Sequence, residues 1–341
     1  MERRFWFSDA QILMIFEDPE LYAIVRPVLD ELQQDPGVVA RFSCIFETSR
    51  RLHDPVDASL VHDGFLGPGI SVPGKIFAAA DKEWLIVAGE GSVEVDSRAR
   101  TARIRIMPGA DRHAASTMAL YAIDAALSAT GQQLLHGAAL MMPSGESAVL
   151  IFAPSGAGKT TTAIALALHG FKILTDDALV LQTNKPAPAA WGLPRSMKVH
   201  WRTVELLPVL KSVIGTTWNN EGEQVLTRRT FSELGGVASH TSLPIAAIFL
   251  LGSRSDGEHV IENTSRADVL VELANDNVGT SRLGVIPRQV QKMEAVAELL
   301  NQVPAARLQV GRSLDQLGPV IVDYCGQRRR QATRTGALSQ A

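Results

Sequence analysis

The apolar and polar positions of the first hundred residues predict a small domain that mixes helix and strand. Apolar side chains recur at helical spacing within residues 19–34, which predicts a helix there. Short alternating segments bounded by Gly and Asp then predict an antiparallel meander, with strands at 75–79, 84–88, 92–95 and 102–106. We therefore assign residues 1–110 to a smaller N-terminal α+β accessory domain.

Four arginines, Arg98, Arg100, Arg103 and Arg105, alternate with small or apolar residues at the end of this domain. Alternation of this kind is typical of a strand with one buried and one hydrated face. We interpret the arginines as the solvated face.

The pattern changes to α/β over residues 111–325. A helix is predicted over 114–130, and strands over 134–140 and 148–152 are joined by a turn at 143–146. A small-residue loop and an apolar helix follow, and then a strand over 171–175 ends at Asp176-Asp177. Farther along, the apolar pattern predicts a buried strand at 245–251 and helices at 266–274, 290–303 and 315–324.

The last residues, 326–341, lack apolar periodicity and include Arg328, Arg329 and Arg330. A polar segment of this kind cannot bury enough apolar surface to fold. We expect a disordered basic tail.

Composition and charge exclude several classes of function. A net charge of −3 argues against a nucleic-acid-binding surface over the whole protein. No stretch reaches the roughly 18 uncharged apolar residues of a spanning helix, so we expect no membrane partner. Asp9 and Gln11 interrupt the apolar start, which argues against a signal peptide. Only Cys44 and Cys325 occur, so we expect no disulfide framework and a cytoplasmic location.

The strongest functional signal is the segment AVLIFAPSGAGKTTTA at residues 148–163. Strand, small-residue loop and helix follow in the order that a phosphate-binding P-loop requires. Glycines in the loop can turn backbone N–H groups towards an anion, and the helix N-terminus adds partial positive charge. The residues that we expect to bind nucleotide are Pro154, Ser155, Gly156, Ala157, Gly158, Lys159, Thr160 and Thr161.

Lys159 and Thr160 have specific expected tasks in this segment. Lys159, which we expect to be an exposed loop residue, can reach the β- and γ-phosphates of ATP, and the Thr160 hydroxyl can bind Mg²⁺. Ala153 stands where the usual pattern has its first glycine, and it is tolerable there if its φ is negative. A glycine-rich turn that binds nothing is the alternative.

Three elements in order, LHGAAL, APSGAGKTTTAIALALHG and FKILTDDALVL, resemble the kinase domain of HPr kinase/phosphorylase and related proteins. That domain is in turn related to phosphoenolpyruvate carboxykinase. The resemblance covers about residues 111–200 and extends weakly to about 320. It implies an α/β fold with a P-loop kinase domain of the HPr kinase/phosphoenolpyruvate carboxykinase type.

The resemblance also implies roles for individual residues. Asp177 matches the general base that takes the proton from a serine hydroxyl, and His136 matches an active-site histidine. Lys159 neutralises the transferring phosphoryl group. Thr160 and Asp176 lie at the metal position.

The chain departs from the family after the Asp pair. Where the family carries an acidic metal ligand, the sequence GLPRSMKV at 192–199 is basic. Arg195 and Lys198 could hold an acidic peptide or a substrate phosphate, or be surface charges. Arg254 weakly matches a family arginine. HPr itself is therefore in doubt as the substrate.

We expect a kinase that uses ATP and Mg²⁺ to phosphorylate a serine of a protein or peptide, such as a ribosomally made precursor of the lasso-peptide type. The alternatives are a catalytically inactive nucleotide-binding scaffold or sensor, and a kinase that acts on a small-molecule hydroxyl. A homo-oligomer is possible, and the sequence does not name the acceptor.

Overall fold

The computed structural model describes residues 1–338 except 30–31, 33–38, 53, 68–69, 239–241 and 279–282. Its contacts divide the chain into two compact units. The first unit comprises Met1–Leu134, Val180–Asn184 and Leu273–Ala297. The second unit comprises Leu135–Leu179, Lys185–Glu272 and Glu298–Ala341.

The described residues form a mixed α/β protein. In chain order, its strands are β1 (Glu2–Phe7), β2 (Ala10–Phe16), β3 (Phe42–Thr48), β4 (Ser59–Gly67), β5 (Ile70–Ala79), β6 (Lys82–Val87), β7 (Gly91–Asp96), β8 (Thr101–Ile106), β9 (Gln132–Leu135), β10 (Ala138–Met141), β11 (Ala148–Phe152), β12 (Lys172–Asp176), β13 (Leu179–Gln182), β14 (Ala189–Gly192), β15 (Met197–His200), β16 (Glu223–Leu226), β17 (Gly236–Val237), β18 (Leu243–Leu251), β19 (Val260–Asn263) and β20 (Ala305–Gln309). Its helices are α1 (Pro19–Leu29), α2 (Arg112–Ser128), α3 (Lys159–Leu168), α4 (Trp201–Leu206), α5 (Arg228–Ser232), α6 (Arg266–Asn277), α7 (Pro287–Gln302) and α8 (Leu317–Leu338). None of the described helices has the length and apolar character needed to cross a membrane.

An eight-stranded sheet with strand order β1-β2-β3-β8-β7-β6-β5-β4 forms the centre of the first unit. Strands β5 to β8 are the antiparallel meander that the alternation predicts, and β4, which was not predicted, pairs antiparallel with β5 at its edge. The sequence did not predict the β1–β2 hairpin or β3, which pairs in parallel with both β2 and β8. The apolar run of β2, AQILMIF, barely alternates, so its pattern does not distinguish strand from helix.

Two of the four arginines lie on the hydrated face of β8, as predicted. Arg103 and Arg105 donate to the carboxylate of Glu47 on β3 at 2.6 and 2.8 Å. Arg98 and Arg100 lie in the turn before the strand. These ion pairs across the parallel β3–β8 pair explain the charge on this face.

Helix α2 belongs to the first unit, whereas the predicted boundary at 110/111 gave it to the second domain. Asp111 begins the helix by accepting hydrogen bonds from the backbone N–H groups of His113 and Ala114. The alanine-rich buried face of α2 packs on β7 and β8. A Cβ at Gly91 would lie 2.7 Å from Cε of Met118, so glycine permits this close approach.

The segment Leu273–Ala297 also returns to the first unit, through buried ion pairs that the sequence does not reveal. Arg288 contacts Glu83 at 2.8 Å and forms a second ion pair with Asp124. Lys292 lies 3.3 Å from Asp124, and Arg288 stacks over the ring of Tyr121. Because these charges look like ordinary surface charges in the sequence, the predicted domain boundaries missed this segment.

The second unit contains a mixed sheet with strand order β17-β12-β10-β11-β18-β14. Strands β10 and β11 form the antiparallel hairpin that the sequence predicted before the small-residue loop. Strands β18 and β20 continue the sheet in parallel from β11. Helix α3 and the first turns of α8 pack their apolar faces into one core with these strands.

Helix α8 continues through Leu338, whereas a disordered tail was predicted from residue 326. The tail residues have partners within the second unit. Arg328 donates to Asn263 at 2.6 Å and stacks over Tyr324, and Arg329 lies 3.5 Å from Glu146. Long-range partners of this kind leave no periodic signal in the sequence. Residues 339–341 lie outside the described part.

Candidate functional site

The ends of three strands bring the predicted site residues to one edge of the sheet. Strand β10 runs antiparallel between β11 and β12, and Ala138 at its start lies opposite Ile151 and Asp176. The start of β10 therefore meets the ends of both neighbours. His136, the loop after Phe152 and Asp177 all follow from this register.

A break in the predicted strand 134–140 places His136 at this edge. Strand β9 ends at Leu135 and β10 begins at Ala138, so His136 and Gly137 lie between them. A Cβ at Gly137 would lie 2.7 Å from Cε1 of Phe152, which explains the need for glycine. The close passage brings the histidine next to the start of the loop.

Two glycines give the loop at 153–158 its conformation. Gly156 and Gly158 have φ values of 79° and 98°, in the left-handed region. A Cβ at either position would meet nothing within 4 Å, so no steric clash requires glycine. Glycine is required because the backbone adopts a positive φ. The non-glycine residues with positive φ in the described chain are Ser8, Asp57 and Arg100. Ala153 therefore has a negative φ, which is the condition under which alanine can replace the first glycine of the usual pattern.

Only some of the loop N–H groups can face an anion. The N–H of Ala157 donates to the carbonyl of Pro154 at 3.1 Å, which closes the loop on itself. Gly158 is the N-cap residue of α3, and it supplies no side-chain hydrogen bond to the first turn. The first N–H groups of a helix have no partner within it, so this end of α3 can bind an anion. Pro154, Ser155 and Gly156 are exposed.

Lys159 is buried, so the prediction of an exposed loop lysine was wrong: its side chain is 7% exposed. Nζ lies 2.6 Å from Nε2 of His136 and 3.6 Å from Oδ1 of Asp177. The three side chains form one polar cluster, in which the role of Nε2 as donor or acceptor depends on the tautomer of the ring. As the first residue of α3, Lys159 points into the site and not into solvent.

Asp176 is a buried carboxyl with one satisfied oxygen. Its Oδ2 accepts a hydrogen bond from the Thr160 hydroxyl at 2.6 Å, and its Oδ1 is buried with no partner among the described residues. Burial, together with the negative charge of Asp177, raises the pKa of Asp176 to about 7. The Thr160 hydrogen bond and the charge of Lys159 oppose this shift without cancelling it.

Asp177 has the opposite character, and its side chain is 45% exposed. Burial works to raise its pKa, but contact with His136 and the charges of Lys159 and Arg195 lower the pKa below its ordinary value. His136 Nε2 lies 3.4 Å from Oδ1 of Asp177. Adjacent carboxyls whose pKa values are pushed apart in this way are typical of sites where two acids have different tasks.

The turn that separates the two carboxyls is fixed by Leu193, the residue that follows β14. Thr175 donates its hydroxyl to the carbonyl of Leu193 at 3.3 Å, and Leu193 donates its N–H to the carbonyl of Ala178 at 3.0 Å. Asp176 closes β12 and faces inward, and Asp177 faces outward. The sequence required such a turn but did not indicate that Leu193 would hold it.

The structure brings His136, Lys159, Thr160, Asp176 and Asp177 together, as the three-part constellation requires. Thr161 is engaged elsewhere, because its hydroxyl lies 2.8 Å from that of Thr203 on α4. Arg254 follows β18 on the same edge and is exposed. Sequence reasoning missed Thr203, since a threonine pair distant in the chain has no motif.

The residues at Asp176 fit a magnesium ion. An orphaned carboxylate oxygen beside a hydroxyl is the kind of hard oxygen donor that Mg²⁺ prefers, and protein carboxylates usually supply only one or two of its ligands. No cluster of three or more His, Cys, Asp or Glu side chains suited to a metal occurs in the described part. Substrate phosphates and water would have to complete the coordination.

Comparison with known proteins adds no family to this picture. No protein-family model matches the chain, and no curated protein is significantly similar to it in sequence.

Proposed function

We propose that this chain is a kinase that transfers the γ-phosphoryl group of ATP, with Mg²⁺, to a serine hydroxyl of a protein or peptide. The observation that carries the proposal is the meeting of Lys159 and Asp177, 3.6 Å apart, at the start of the helix that follows the glycine loop. A cation and an ionised carboxylate at an anion-binding helix end are the groups that phosphoryl transfer needs.

Each side chain has a distinct task in this proposal. Lys159 neutralises charge on the β- and γ-phosphates, and the helix end binds phosphate oxygens through N–H groups. The acceptor hydroxyl attacks phosphorus, the bond from phosphorus to the bridging oxygen breaks with its electron pair on ADP, and Asp177 takes the hydroxyl proton. His136 orients Lys159 through the 2.6 Å contact between its Nε2 and Nζ of the lysine. Thr160 and Asp176 would hold Mg²⁺, which supplies charge neutralisation when bound.

We also propose that the second unit has the P-loop fold of the HPr kinase/phosphoenolpyruvate carboxykinase type. Its support is the antiparallel β10–β11 hairpin that leads into the glycine loop, because most P-loop proteins alternate strand and helix there. A cytoplasmic location remains part of the proposal, and the free, buried Cys44 and Cys325 fit it. A homo-oligomer and the absence of nucleic-acid and membrane partners remain expectations.

Calorimetry with Mg·ADP, followed by transfer from γ-labelled ATP, tests the proposal. Serine-containing peptides, the same peptides with alanine, and free serine serve as acceptors. Label on serine peptides alone would support a peptide kinase, and label on free serine would favour the small-molecule alternative. Nucleotide binding without transfer to any acceptor would favour the scaffold, and absence of nucleotide binding would reject the whole proposal.

A further inference from the structure

Arg195 is an exposed cation on the segment that packs against the Asp176–Asp177 turn, and the proposed function gives it no task. It follows β14 by three residues, and the backbone of Leu193 is bonded on both sides of the Asp pair, to Thr175 and to Ala178. A Cβ at Gly192 would lie 2.4 Å from the carbonyl oxygen of Leu174, so the two segments pass closely. The loop that carries Arg195 is therefore fixed against the Asp176–Asp177 turn.

Arg195 is not paired with Asp177, although the segments that carry the two residues are hydrogen-bonded to each other. Arg195 makes no hydrogen bond or ion pair with any residue that the structure describes, and its side chain is exposed. Its positive charge still contributes to the low pKa of Asp177. The donors of Arg195 are thus available to another group at the same place.

A cation beside a proton acceptor works against that acceptor, because it lowers the basicity of the carboxylate. Lys159 lies 3.6 Å from Oδ1 of Asp177 and already neutralises its charge. Arg195 as a second cation is explained if a further negative charge occupies the site at Asp177 during the reaction. The planar guanidinium, with five donors, matches the oxygens of a phosphoryl group.

We propose that Arg195 donates hydrogen bonds to the oxygens of the transferred phosphoryl group and neutralises the charge that develops on them in the transition state. The inference rests on the proposed phosphoryl transfer. Arg195 forms no covalent bond and takes no proton. An arginine supplied from the same chain in this way contributes on the order of 10³-fold or more to phosphoryl transfer.

The test compares ADP with ADP plus aluminium fluoride, a mimic of the transferring group, in the presence of Mg²⁺. The variants are Arg195→Ala, Arg195→Lys and the control Lys198→Ala. Lys198 is a suitable control because its Nζ lies 3.5 Å from the carboxylate of Glu223 and its side chain is 60% exposed on β15, so in the structure it is a surface charge that is already paired. Each alanine variant removes one positive charge from the same segment, and unfolding temperatures check that all the variants fold.

We expect ADP affinity to stay within about twofold of wild type in all variants, because Arg195 acts only on the transferring group. Arg195→Ala should weaken the ADP–aluminium fluoride complex by about 100-fold or more and lower transfer by about 10³-fold, with Arg195→Lys intermediate. Lys198→Ala should behave as wild type.

Other outcomes separate this inference from the function on which it rests. Wild-type protein that binds no ADP rejects the proposed function. If wild type and Arg195→Ala bind ADP plus aluminium fluoride equally well, the role of Arg195 is overturned and the proposed function is not affected. An effect of Arg195→Ala confined to peptides with acidic residues beside the serine would also overturn it, because Arg195 would then bind the acceptor.

Discussion

The Thr160 hydroxyl donates to Oδ2 of Asp176 at 2.6 Å, while Oδ1 of the same buried carboxyl has no partner among the described residues. A buried carboxylate that is only half satisfied costs free energy whenever it is ionised. That cost appears as the pKa of about 7 for Asp176. A bound cation would remove this free-energy cost. Ionised Asp176 would therefore destabilise the protein without metal and would act as a ligand when metal is bound.

Stability without nucleotide should therefore fall as the pH rises between about 4 and about 7. The folded state keeps the Asp176 proton up to its raised pKa of about 7, while the unfolded state releases it near 3.8. Between these values the folded state binds more protons, so the free energy of unfolding decreases with pH. The loss is on the order of 4 kcal/mol for this carboxyl. Asp177, whose pKa is lowered, affects stability only at lower pH.

The measurement is urea unfolding between pH 5 and 8 for wild type, Asp176→Asn and the exposed control Asp256→Asn. Asn keeps an oxygen to accept from Thr160 and cannot ionise. We expect Asp176→Asn to reduce the slope with pH and to be more stable than wild type at pH 8. Parallel curves of unfolding free energy against pH for wild type and Asp176→Asn would contradict the raised pKa of Asp176.

Lys159→Met should abolish transfer and weaken nucleotide binding, because it removes the charge at the phosphates. Lys159 is buried, so the substitution should also lower the free energy of unfolding by about 1–2 kcal/mol through the lost contacts with His136 and Asp177. Lys198→Met is the control for loss of a lysine charge, and unfolding and transfer are measured together. Near-normal transfer in Lys159→Met would remove Lys159 from the proposed mechanism.

Gly158→Ala should impair nucleotide binding through the backbone, without a steric clash. Gly158 has φ 98° and open space around a built Cβ, and Gly145 in the β10–β11 turn has φ 76° and equally open space. An alanine at either position should cost about 1–2 kcal/mol of stability. Only Gly158→Ala should reduce Mg·ADP affinity, by about tenfold or more, because it disturbs the N–H groups at the helix end. Equal ADP affinity in both variants would argue against an anion site there.

The sequence predicted the local parts of this site better than its surroundings. The loop, α3 and the Asp pair follow one another within thirty residues, so motif spacing and strand patterns could place them. Burial of Lys159 depends on the register of β10 against β11 and β12, which brings His136 beside it. Pairing between separate strands is not encoded in the pattern of any one of them.

Domain boundaries failed for a similar reason. Arg288 and Asp124 are far apart in the sequence and form a buried ion pair within the first unit. Buried charges are uncommon, so charged residues in a helix are ordinarily assigned to its surface. The N-terminal strands were missed because β2 is apolar almost throughout.

Asp177→Asn tests the proton acceptor. The lowered pKa of Asp177 keeps it ionised at neutral pH, so it is ready to accept a proton without being a strong base. A positioned carboxylate contributes typically 10²–10⁴-fold, so Asp177→Asn should lower single-turnover transfer by about that factor while ADP binding persists. Asp176→Asn should instead raise the Mg²⁺ concentration needed for transfer, because its expected partner is the metal. Transfer is followed from labelled ATP across a Mg²⁺ titration. Small, equal effects of the two substitutions would make the pair a structural turn, and the nucleotide-binding scaffold would then be the better account.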